Sequence, residues 1–239
     1  MLLYNDSLWL AESLQALSQK HTATRLDLSA DIEALTVFGK RAYGREMEIQ
    51  RTILSDVLDG AQGFARCTEP PFAQECDLAI ASAVDRLRAV HTQWTPILSQ
   101  SALLQSLGSL LSTLINKLVV DVEDMSDISE PESQRLALFC SRVAELEDLF
   151  KPQSPSLSSE EVKEVMPLTA VYTPGWLKFQ YLVNILESSL VDIKFLWEEG
   201  ELSLEFDIDE LIELIEALFA DSEHRRRAIG EMRRVSGSR

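Results

Sequence analysis

The most regular hydrophobic pattern in the chain lies between Thr173 and Gly200, where large apolar residues recur every three or four positions. Because an α-helix has about 3.6 residues per turn, this spacing places them on one face. Pro174 suits the first turn, where a missing N–H is harmless, and Gly200 suits the break after the last turn. The pattern predicts one amphipathic helix with a packing face made of Trp176, Phe179, Val183, Leu186, Leu190, Ile193 and Trp197.

A second amphipathic helix is predicted to begin after Asp207. This aspartate is a good N-cap, and Glu210 stands three residues later, as in a capping box. The segment between the two helices alternates apolar and polar residues, which predicts an extended linker that packs against its own bundle or into a partner's groove. The apolar residues of that linker are Leu202, Leu204 and Phe206.

Five more helices are predicted upstream. The first covers about residues 3–20, the second about residues 29–64, and the third follows the Pro70-Pro71 turn to about Leu98. Ser129 marks the N-cap of the fifth helix. The packing faces of the first, fourth and fifth helices are Leu3, Leu10, Leu14 and Leu17; Leu104, Leu107, Leu111, Leu114, Leu118 and Val122; and Leu136, Phe139, Val143, Leu146 and Phe150.

The second helix is the longest of the series, and its predicted packing face is Leu35, Phe38, Ala42, Ile49, Ile53 and Val57. No run of β-branched and aromatic residues alternates between glycine-bounded turns, so the sequence predicts no convincing strand. The predicted fold class is therefore all-α, an elongated multi-helix bundle of stacked antiparallel helices.

One internal boundary is predicted around the segment that begins Lys151-Pro152-Gln153-Ser154-Pro155-Ser156, which has the composition of a loop. Ser158 and Glu161 favour a short helical turn before Pro167. This divides the chain into a five-helix bundle at 1–150, a loop at 151–173, and a carboxyl-terminal helical unit at 174–239 that packs on the bundle. The alternative is one continuous body, because the last helices need partners for their apolar faces.

The net charge limits the kinds of molecule that the chain can bind, and the cysteine content indicates its compartment. The chain has 22 Lys and Arg against 39 Asp and Glu, a net charge of −17, which repels nucleic-acid phosphates and anionic lipids. It has no signal segment and no unbroken apolar run long enough for a membrane span, so we expect a soluble chain without membrane insertion. Three cysteines without a Cys-x-x-Cys pair predict free thiols in a reducing compartment.

Catalytic and metal-binding motifs are missing from the sequence. No nucleophile elbow, phosphate loop, dinucleotide-binding turn or His-Glu-x-x-His pair occurs. His21, His91 and His224 stand far apart, and His91 falls on the apolar stripe of the third helix, which favours a partly buried histidine over a metal ligand. The sequence thus predicts no enzyme, with no catalytic residues, no cofactor and no metal.

Five short segments together resemble the carboxyl-terminal region of the Zeste-White Ten family. They are Val171-Tyr172-Thr173-Pro174-Gly175-Trp176, Trp197 followed by Gly200, Ala217-Leu218-Phe219 ahead of paired arginines, Leu3-Tyr4-Asn5-Asp6-Ser7, and Gly108-Ser109-Leu110-Leu111-Ser112-Thr113. That family comprises the large helical subunits shared by the endoplasmic-reticulum vesicle tether and the kinetochore Rod/Zwilch complex. Because Met1 immediately precedes the matching region, we expect the chain to be a piece of a longer protein.

The resemblance implies a non-enzymatic tether subunit whose carboxyl end docks onto an α-solenoid partner. At the endoplasmic reticulum this partner is the neuroblastoma-amplified type, in Golgi-to-ER vesicle tethering and SNARE assembly. At kinetochores it is Rod, in spindle checkpoint signalling, which is the alternative role. The amino-terminal part of such proteins binds another tether subunit. The resemblance therefore implies a cytoplasmic protein, peripheral at the endoplasmic-reticulum membrane or located at the kinetochore.

A partner surface is predicted at the end of the chain, where a basic cluster lies close to the most acidic stretch and arginines can bind carboxylates of another protein. The alternative is a structural role, because Asp221 and Glu223 stand four residues before two of these arginines. The predicted partner-binding residues are Leu202, Leu204, Phe206, Arg225, Arg226 and Arg227.

The Trp197 segment and the functional class each have an alternative interpretation. Trp197-Glu198-Glu199 resembles acidic tryptophan segments that grip vesicle coats in related tether subunits, but Trp197 also completes the helical stripe, which favours core packing. A homo-oligomeric helical scaffold is the other functional class. It is disfavoured because the apolar stripes are wide and interrupted by proline, whereas coiled coils sustain narrow heptads. We therefore expect the isolated chain to be monomeric.

Overall fold

The fold is entirely helical in the residues described by the computed structural model, which are 1–20, 27–151 and 166–236. This part of the chain contains no strand, which confirms the all-α prediction. Short 3₁₀ segments follow the second helix at Gln62–Phe64 and the fifth at Glu145–Phe150. The α-helices are α1 (Leu2–Lys20), α2 (Ser29–Asp59), α3 (Phe72–Trp94), α4 (Gln100–Glu123), α5 (Glu130–Ala144), α6 (Leu168–Tyr172), α7 (Trp176–Glu187), α8 (Leu190–Glu198), α9 (Leu202–Glu205), α10 (Ile208–Leu218) and α11 (Glu223–Ser236).

The predicted loop at 151–173 is described only in part. The predicted helical turn at Ser158 and Glu161 lies outside the described residues, as does His21. The end of the loop is helical, because α6 covers Leu168–Tyr172. One buried hydrophobic cluster extends from Met47 to Met232 and takes residues from both predicted units. The division of the chain into separate domains therefore stays a prediction.

Helix α4 is the central element of this cluster. It packs against α2, α3, α6, α7 and α10, and residues on both of its sides are buried. Among the described helices it is also the one long and apolar enough to cross a membrane, although the sequence has no unbroken apolar run there. Most of its apolar stretch is covered by the neighbouring helices, as in the core helix of a bundle.

A close contact on α4 joins two of the segments that carry the family resemblance. A Cβ atom built at Gly108 would lie 2.1 Å from the backbone oxygen of Tyr172, so only glycine allows α6 to approach α4 this closely. One turn later, the hydroxyl of Ser112 donates to the backbone oxygen of Pro174 at 2.9 Å. The two segments, 108–113 and 171–176, therefore form one packing contact that anchors the start of α7.

The single helix predicted from Thr173 to Trp197 is wrong, because the structure breaks it into α7 and α8. Ser189 caps α8: its side chain accepts from the backbone N–H of Asp192, and the carboxylate of Asp192 accepts from the backbone N–H of Ser189, both at 3.4 Å. This capping box starts a new helix within the apolar ladder. The ladder still faces inward, since all seven residues except the half-buried Val183 are buried.

The predicted capping box at the start of α10 is present. Asp207 is the N-cap, and its backbone N–H donates to the carboxylate of Glu210 at 3.2 Å. The extended linker predicted before it is wrong, because Leu202–Glu205 forms one helical turn and the N–H of Phe206 bonds to the oxygen of Leu202 at 3.1 Å. A helical turn brings residues four apart to the same side. Leu202 and Phe206 therefore share a side, and Leu204 points away from it.

The packing faces predicted for α1 and α2 are also wrong. Helix α1 contacts α2 through its small residues Ser7 and Ala11 and through Tyr4, whose ring centre lies 5.1 Å from that of Tyr43. Leu3, Leu10 and Leu17 are exposed. The reason is a close approach of the two backbones, because a Cβ atom at Gly39 would lie 2.2 Å from the hydroxyl oxygen of Ser7. The residues that α2 buries are Gly39, Met47, Gln50, Leu54 and Leu58. Of the predicted stripe, Val57 packs half-buried against the core, while Phe38 and Ile49 are exposed.

Candidate functional site

The three consecutive arginines of α11 have different environments. The guanidinium of Arg225 donates to the backbone oxygens of Glu216 at 3.2 Å and Phe219 at 2.5 Å, and pairs with Asp221 at 3.1 Å. Its side chain is 14% exposed. These oxygens belong to the end of α10, where backbone carbonyls lack helical partners and the helix dipole favours a cation. Arg225 therefore holds α11 against α10.

Arg226 and Arg227 point outward, with side chains 70% and 79% exposed. The Nε atom of Arg226 donates to Asp221 at 2.9 Å, and this hydrogen bond lowers the pKa of the Asp221 carboxyl. Arg227 pairs with Glu231 at 3.0 Å rather than with Glu223, which corrects the pair expected from the sequence. A second hydrogen bond joins Nη2 of Arg226 to the other oxygen of Asp221, but both pairs are open to solvent, where water and salt screen them. Both side chains are available to a partner.

The three apolar residues predicted for the partner surface are divided by the turn of α9. Leu202 and Phe206 are buried in the core, and the ammonium group of Lys178 lies 4.8 Å from the centre of the Phe206 ring. The same ammonium pairs with Glu123 at 2.9 Å and with Glu210 at 3.0 Å. Leu204 is 77% exposed. Of the three, only Leu204 is free to contact another protein.

Helix α8 presents two exposed apolar residues that are not among the predicted partner-binding residues. Val191 and Phe195 stand four residues apart on the outward side of α8, opposite the buried ladder, and Phe195 is 63% exposed. Lys194, beside Phe195, pairs with Glu231 of α11, which also binds Arg227. The sequence feature that indicates them is the i, i+4 spacing of two large apolar residues on the polar side of an amphipathic helix. We call Val191, Phe195, Leu204, Arg226 and Arg227 the carboxyl-terminal surface.

Trp197 does not contribute to that surface. It is buried, and its indole Nε1–H donates to the backbone oxygen of Met232 at 3.3 Å. A buried tryptophan with its N–H satisfied is a core residue. This supports the core-packing interpretation of Trp197-Glu198-Glu199 over the coat-gripping one.

The titratable side chains of the core do not form a reactive centre in the described residues. Cys67, Cys76 and Cys140 are free and buried, and burial raises the pKa of Cys67 and of Cys140 to about 12. At such values the thiolate, which is the nucleophilic form, is scarce at neutral pH. His91 is half-buried, and burial lowers its pKa. Within residues 1–20, 27–151 and 166–236, no three His, Cys, Asp or Glu side chains are grouped as metal ligands.

Comparison with known proteins gives one family match. A family model described as the ZW10 C-terminal helical domain matches residues 78–232. Among curated proteins, the mouse centromere/kinetochore protein zw10 homolog is 27% identical over 215 residues, which is 89% of this chain and 27% of that protein. The Arabidopsis thaliana homolog is 24% identical over 99% of this chain and 32% of its own length.

The fruit fly Drosophila melanogaster has a third relative, the centromere/kinetochore protein zw10. It is 25% identical over 86% of this chain and 26% of its own length. The chain thus spans between about a quarter and a third of the length of these curated relatives. The matched family region includes the central helix α4 and every residue of the carboxyl-terminal surface.

Proposed function

Because this chain belongs to the ZW10 C-terminal helical domain family, we propose that it is a non-enzymatic subunit of a multiprotein complex and acts by docking. The observation that carries the proposal is the carboxyl-terminal surface. It contains the exposed apolar residues Val191, Phe195 and Leu204 and the exposed Arg226 and Arg227 of α11, the helix that packs against α8, although other apolar residues of these helices are buried. Aromatic residues and arginines are the side chains that contribute most to protein interfaces.

The partner that we propose for this surface is an α-solenoid subunit. Solenoids of stacked helix pairs present long curved faces to which a helical rod can bind with its end. The neuroblastoma-amplified type would be the partner at the endoplasmic reticulum, in Golgi-to-ER vesicle tethering and SNARE assembly. Other parts of the longer protein would contact another tether subunit. This role places the chain in the cytoplasm, peripheral to the endoplasmic-reticulum membrane.

A second candidate function is the same docking within the kinetochore Rod/Zwilch complex, with Rod as the solenoid. The mouse, Arabidopsis and fly relatives are all named centromere/kinetochore proteins, which favours it. Both functions use one mechanism, burial of the exposed apolar residues and arginines of this surface on assembly, without turnover or cofactor. They differ in the solenoid that is bound.

Co-purification of the chain with each solenoid subunit tests the docking proposal. We expect Phe195→Glu to weaken binding by about 2 kcal/mol or more, as for an interface hot spot, and Arg226→Glu with Arg227→Glu to weaken it less. Leu78→Glu is the matched control, because Leu78 is similarly exposed on α3 and lies outside the surface. Failure to bind either solenoid, or equal binding by wild type and Phe195→Glu, would contradict the proposal.

Sedimentation separates docking from the homo-oligomeric scaffold. We expect the isolated chain to sediment as a monomer at all accessible concentrations, because its apolar stripes are wide and interrupted by proline, unlike the narrow heptads of a coiled coil. A concentration-dependent dimer that Phe195→Glu abolishes would assign the carboxyl-terminal surface to self-association.

A further inference from the structure

A second unused surface lies at the opposite end of the chain, on α2. Phe38, Ala42, Arg45 and Ile49 recur at intervals of four, three and four residues, which places them on one face of the helix. Phe38 is 51% exposed and Ile49 is 43% exposed. This is part of the stripe that the sequence predicts for the core, and the core leaves it open because α1 packs on a neighbouring face through Gly39.

Neighbouring elements turn this open face into a groove. The start of α1 lines one side with Leu2 and Leu3, and the end of α3 contributes Trp94 and, just beyond it, Ile97. The groove has a volume of about 740 Å³. Trp94 is buried, so the groove has a firm base, while Leu2 and Leu3 are exposed. We call this site the amino-terminal groove.

The groove also has a distinct charge. Arg41 and Arg45, one helical turn apart, line it, and the only carboxylate among its lining residues is that of Glu46, which accepts from the side chain of Gln50 at 2.8 Å. In the described part of the chain, neither arginine has a carboxylate within 4 Å, whereas Arg51, farther along α2, pairs with Glu48. Among its lining side chains the groove therefore carries two positive charges and one negative charge, although the net charge of the chain is −17.

We propose that the amino-terminal groove binds an acidic amphipathic helix of another protein. Its apolar face would cover Phe38 and Ile49, and its carboxylates would bind Arg41 and Arg45 in bidentate pairs. The span from Phe38 to Ile49 is eleven residues, or about 16 Å of helix, which suits about three turns of a ligand helix. The proposal is independent of solenoid docking, because the two surfaces share no residue.

A second copy of the chain offers no such helix from the described residues. The helix with the most suitable character is α10, which is acidic and amphipathic. Its apolar side is already buried, including Leu211, Leu214 and Ile215. Binding to the groove of a second copy would require α10 to leave its own core. Charge complementarity therefore favours a different protein as the occupant.

A selection experiment with the whole chain tests the proposal. The probe is a display library of helical peptides of about 18 residues, with a fixed leucine stripe and random Glu, Gln or Lys at the flanking positions. We expect Glu to be enriched with the wild-type chain, and Lys to be enriched with the double variant Arg41→Glu/Arg45→Glu. The control is Lys40→Glu, an exposed charge change on the same helix outside the groove. It should keep the enrichment of Glu.

The selected acidic peptide then serves as a ligand in fluorescence anisotropy. Arg41→Glu/Arg45→Glu should weaken its binding by about tenfold or more, and Phe38→Ser should do so without changing the helical circular dichroism or the thermal midpoint. No enrichment of Glu, or the same enrichment with the double variant, would overturn the proposal. So would groove-dependent dimerisation of the chain, or binding of phosphatidylserine vesicles that Arg41→Glu/Arg45→Glu abolishes while the acidic peptides fail to bind.

Discussion

The amino-terminal hairpin of α1 and α2 and the carboxyl-terminal unit of α7 to α11 use similar amphipathic patterns in opposite ways. In the hairpin, the closest contact is made by Ser7, Ala11 and Gly39, and a pair of half-buried rings, Tyr4 and Tyr43, lies beside it, while Trp9 remains exposed. In the carboxyl-terminal unit, the buried face is built from large residues, among them Trp197. At the Ser7 and Gly39 contact the two helices are too close to admit large side chains, so apolar residues on the other faces of α1 stay exposed.

This difference determines how much each region contributes to stability and which of its residues are available for binding. Burial of a large apolar side chain stabilises a fold by about 1.5–3 kcal/mol, so the carboxyl-terminal unit gains stability from its aromatic residues. The hairpin gains less, because its closest contact uses small residues and its aromatic pair, Tyr4 and Tyr43, is only half-buried. It keeps Leu3, Leu10 and Leu17 on its surface. Its apolar residues are therefore available for binding, as the amino-terminal groove illustrates.

The largest effect is expected from Trp197→Ala. It removes a buried indole and its hydrogen bond to Met232, so we expect the free energy of unfolding to fall by about 3–5 kcal/mol. Denaturant unfolding measures this loss. Phe195→Ala is the matched control two residues away, and its effect should stay within about 0.5 kcal/mol because the ring is exposed. Equal losses for the two variants would contradict the assignment of Trp197 to the core.

The next effect concerns the close contact of the hairpin. Gly39→Ala would place a Cβ atom 2.2 Å from the hydroxyl oxygen of Ser7, so we expect a loss of about 1–3 kcal/mol and faster hydrogen exchange in α1. Gly44→Ala is the control on the same helix. Nothing lies within 4 Å of its Cβ position, so better helix propensity should stabilise the protein by about 0.5–1 kcal/mol.

Restoring space should reverse the Gly39→Ala defect. In the double variant Ser7→Ala/Gly39→Ala the hydroxyl is gone, and the nearest remaining atom of residue 7, its Cβ, lies 3.4 Å away, which is ordinary contact. We expect the double variant to recover most of the stability lost in Gly39→Ala. If it does not, the packing of α1 depends on something other than the Ser7 and Gly39 approach.

A smaller effect distinguishes the arginines of α11. Arg225→Ala removes hydrogen bonds to the end of α10 from a largely buried side chain, so we expect a loss of about 1–2 kcal/mol. Arg226→Ala removes a solvent-exposed pair with Asp221 and should cost clearly less, because exposed pairs contribute little to stability. Thermal unfolding of the two variants measures the difference. A greater loss for Arg226→Ala would reverse the structural and surface roles assigned to these residues.

The smallest effect is a pH dependence of the contact between α8 and α11. Hydrogen bonds from Lys194 and Arg227 lower the pKa of Glu231 to about 2. An unfolded glutamate has a pKa of about 4.3, so this carboxylate stabilises the fold fully above that pH, and the contribution is lost as the pH falls through the folded value. We therefore expect Glu231→Gln to lose stability less steeply than wild type on acidification below the unfolded pKa. Denaturant unfolding of both proteins at several pH values across that range measures this difference. The same pH dependence of the free energy of unfolding in wild type and Glu231→Gln would refute the pairing.

Local signals in the sequence were good predictors of some features. The caps at Ser129 and Asp207 are present, since a capping box depends only on residues three positions apart. The capping box at Ser189 was equally local, but the apolar ladder across it favoured a single helix. Trp197 was correctly interpreted as a core residue, because it ends a stripe that packs inward.

The candidate site was harder to predict than the helices. Three of the six predicted partner-binding residues, Leu202, Phe206 and Arg225, have side chains held within the fold, and Val191 and Phe195 were missed. Periodicity shows which residues share a helix face, but it does not show which face meets another helix. Arg225 illustrates this limit, because its main acceptors are backbone oxygens of a different helix.

By itself, the sequence determined the all-α class, most of the helix positions, and the family, because periodicity, capping and short motifs are local properties. Only the tertiary structure decided which apolar stripes are buried. That choice depends on how closely backbones approach, as at Gly39 and Gly108, where one missing Cβ atom lets another element pack against the helix. A contact that depends on ångström distances between residues far apart in sequence is not encoded in the spacing of either segment alone.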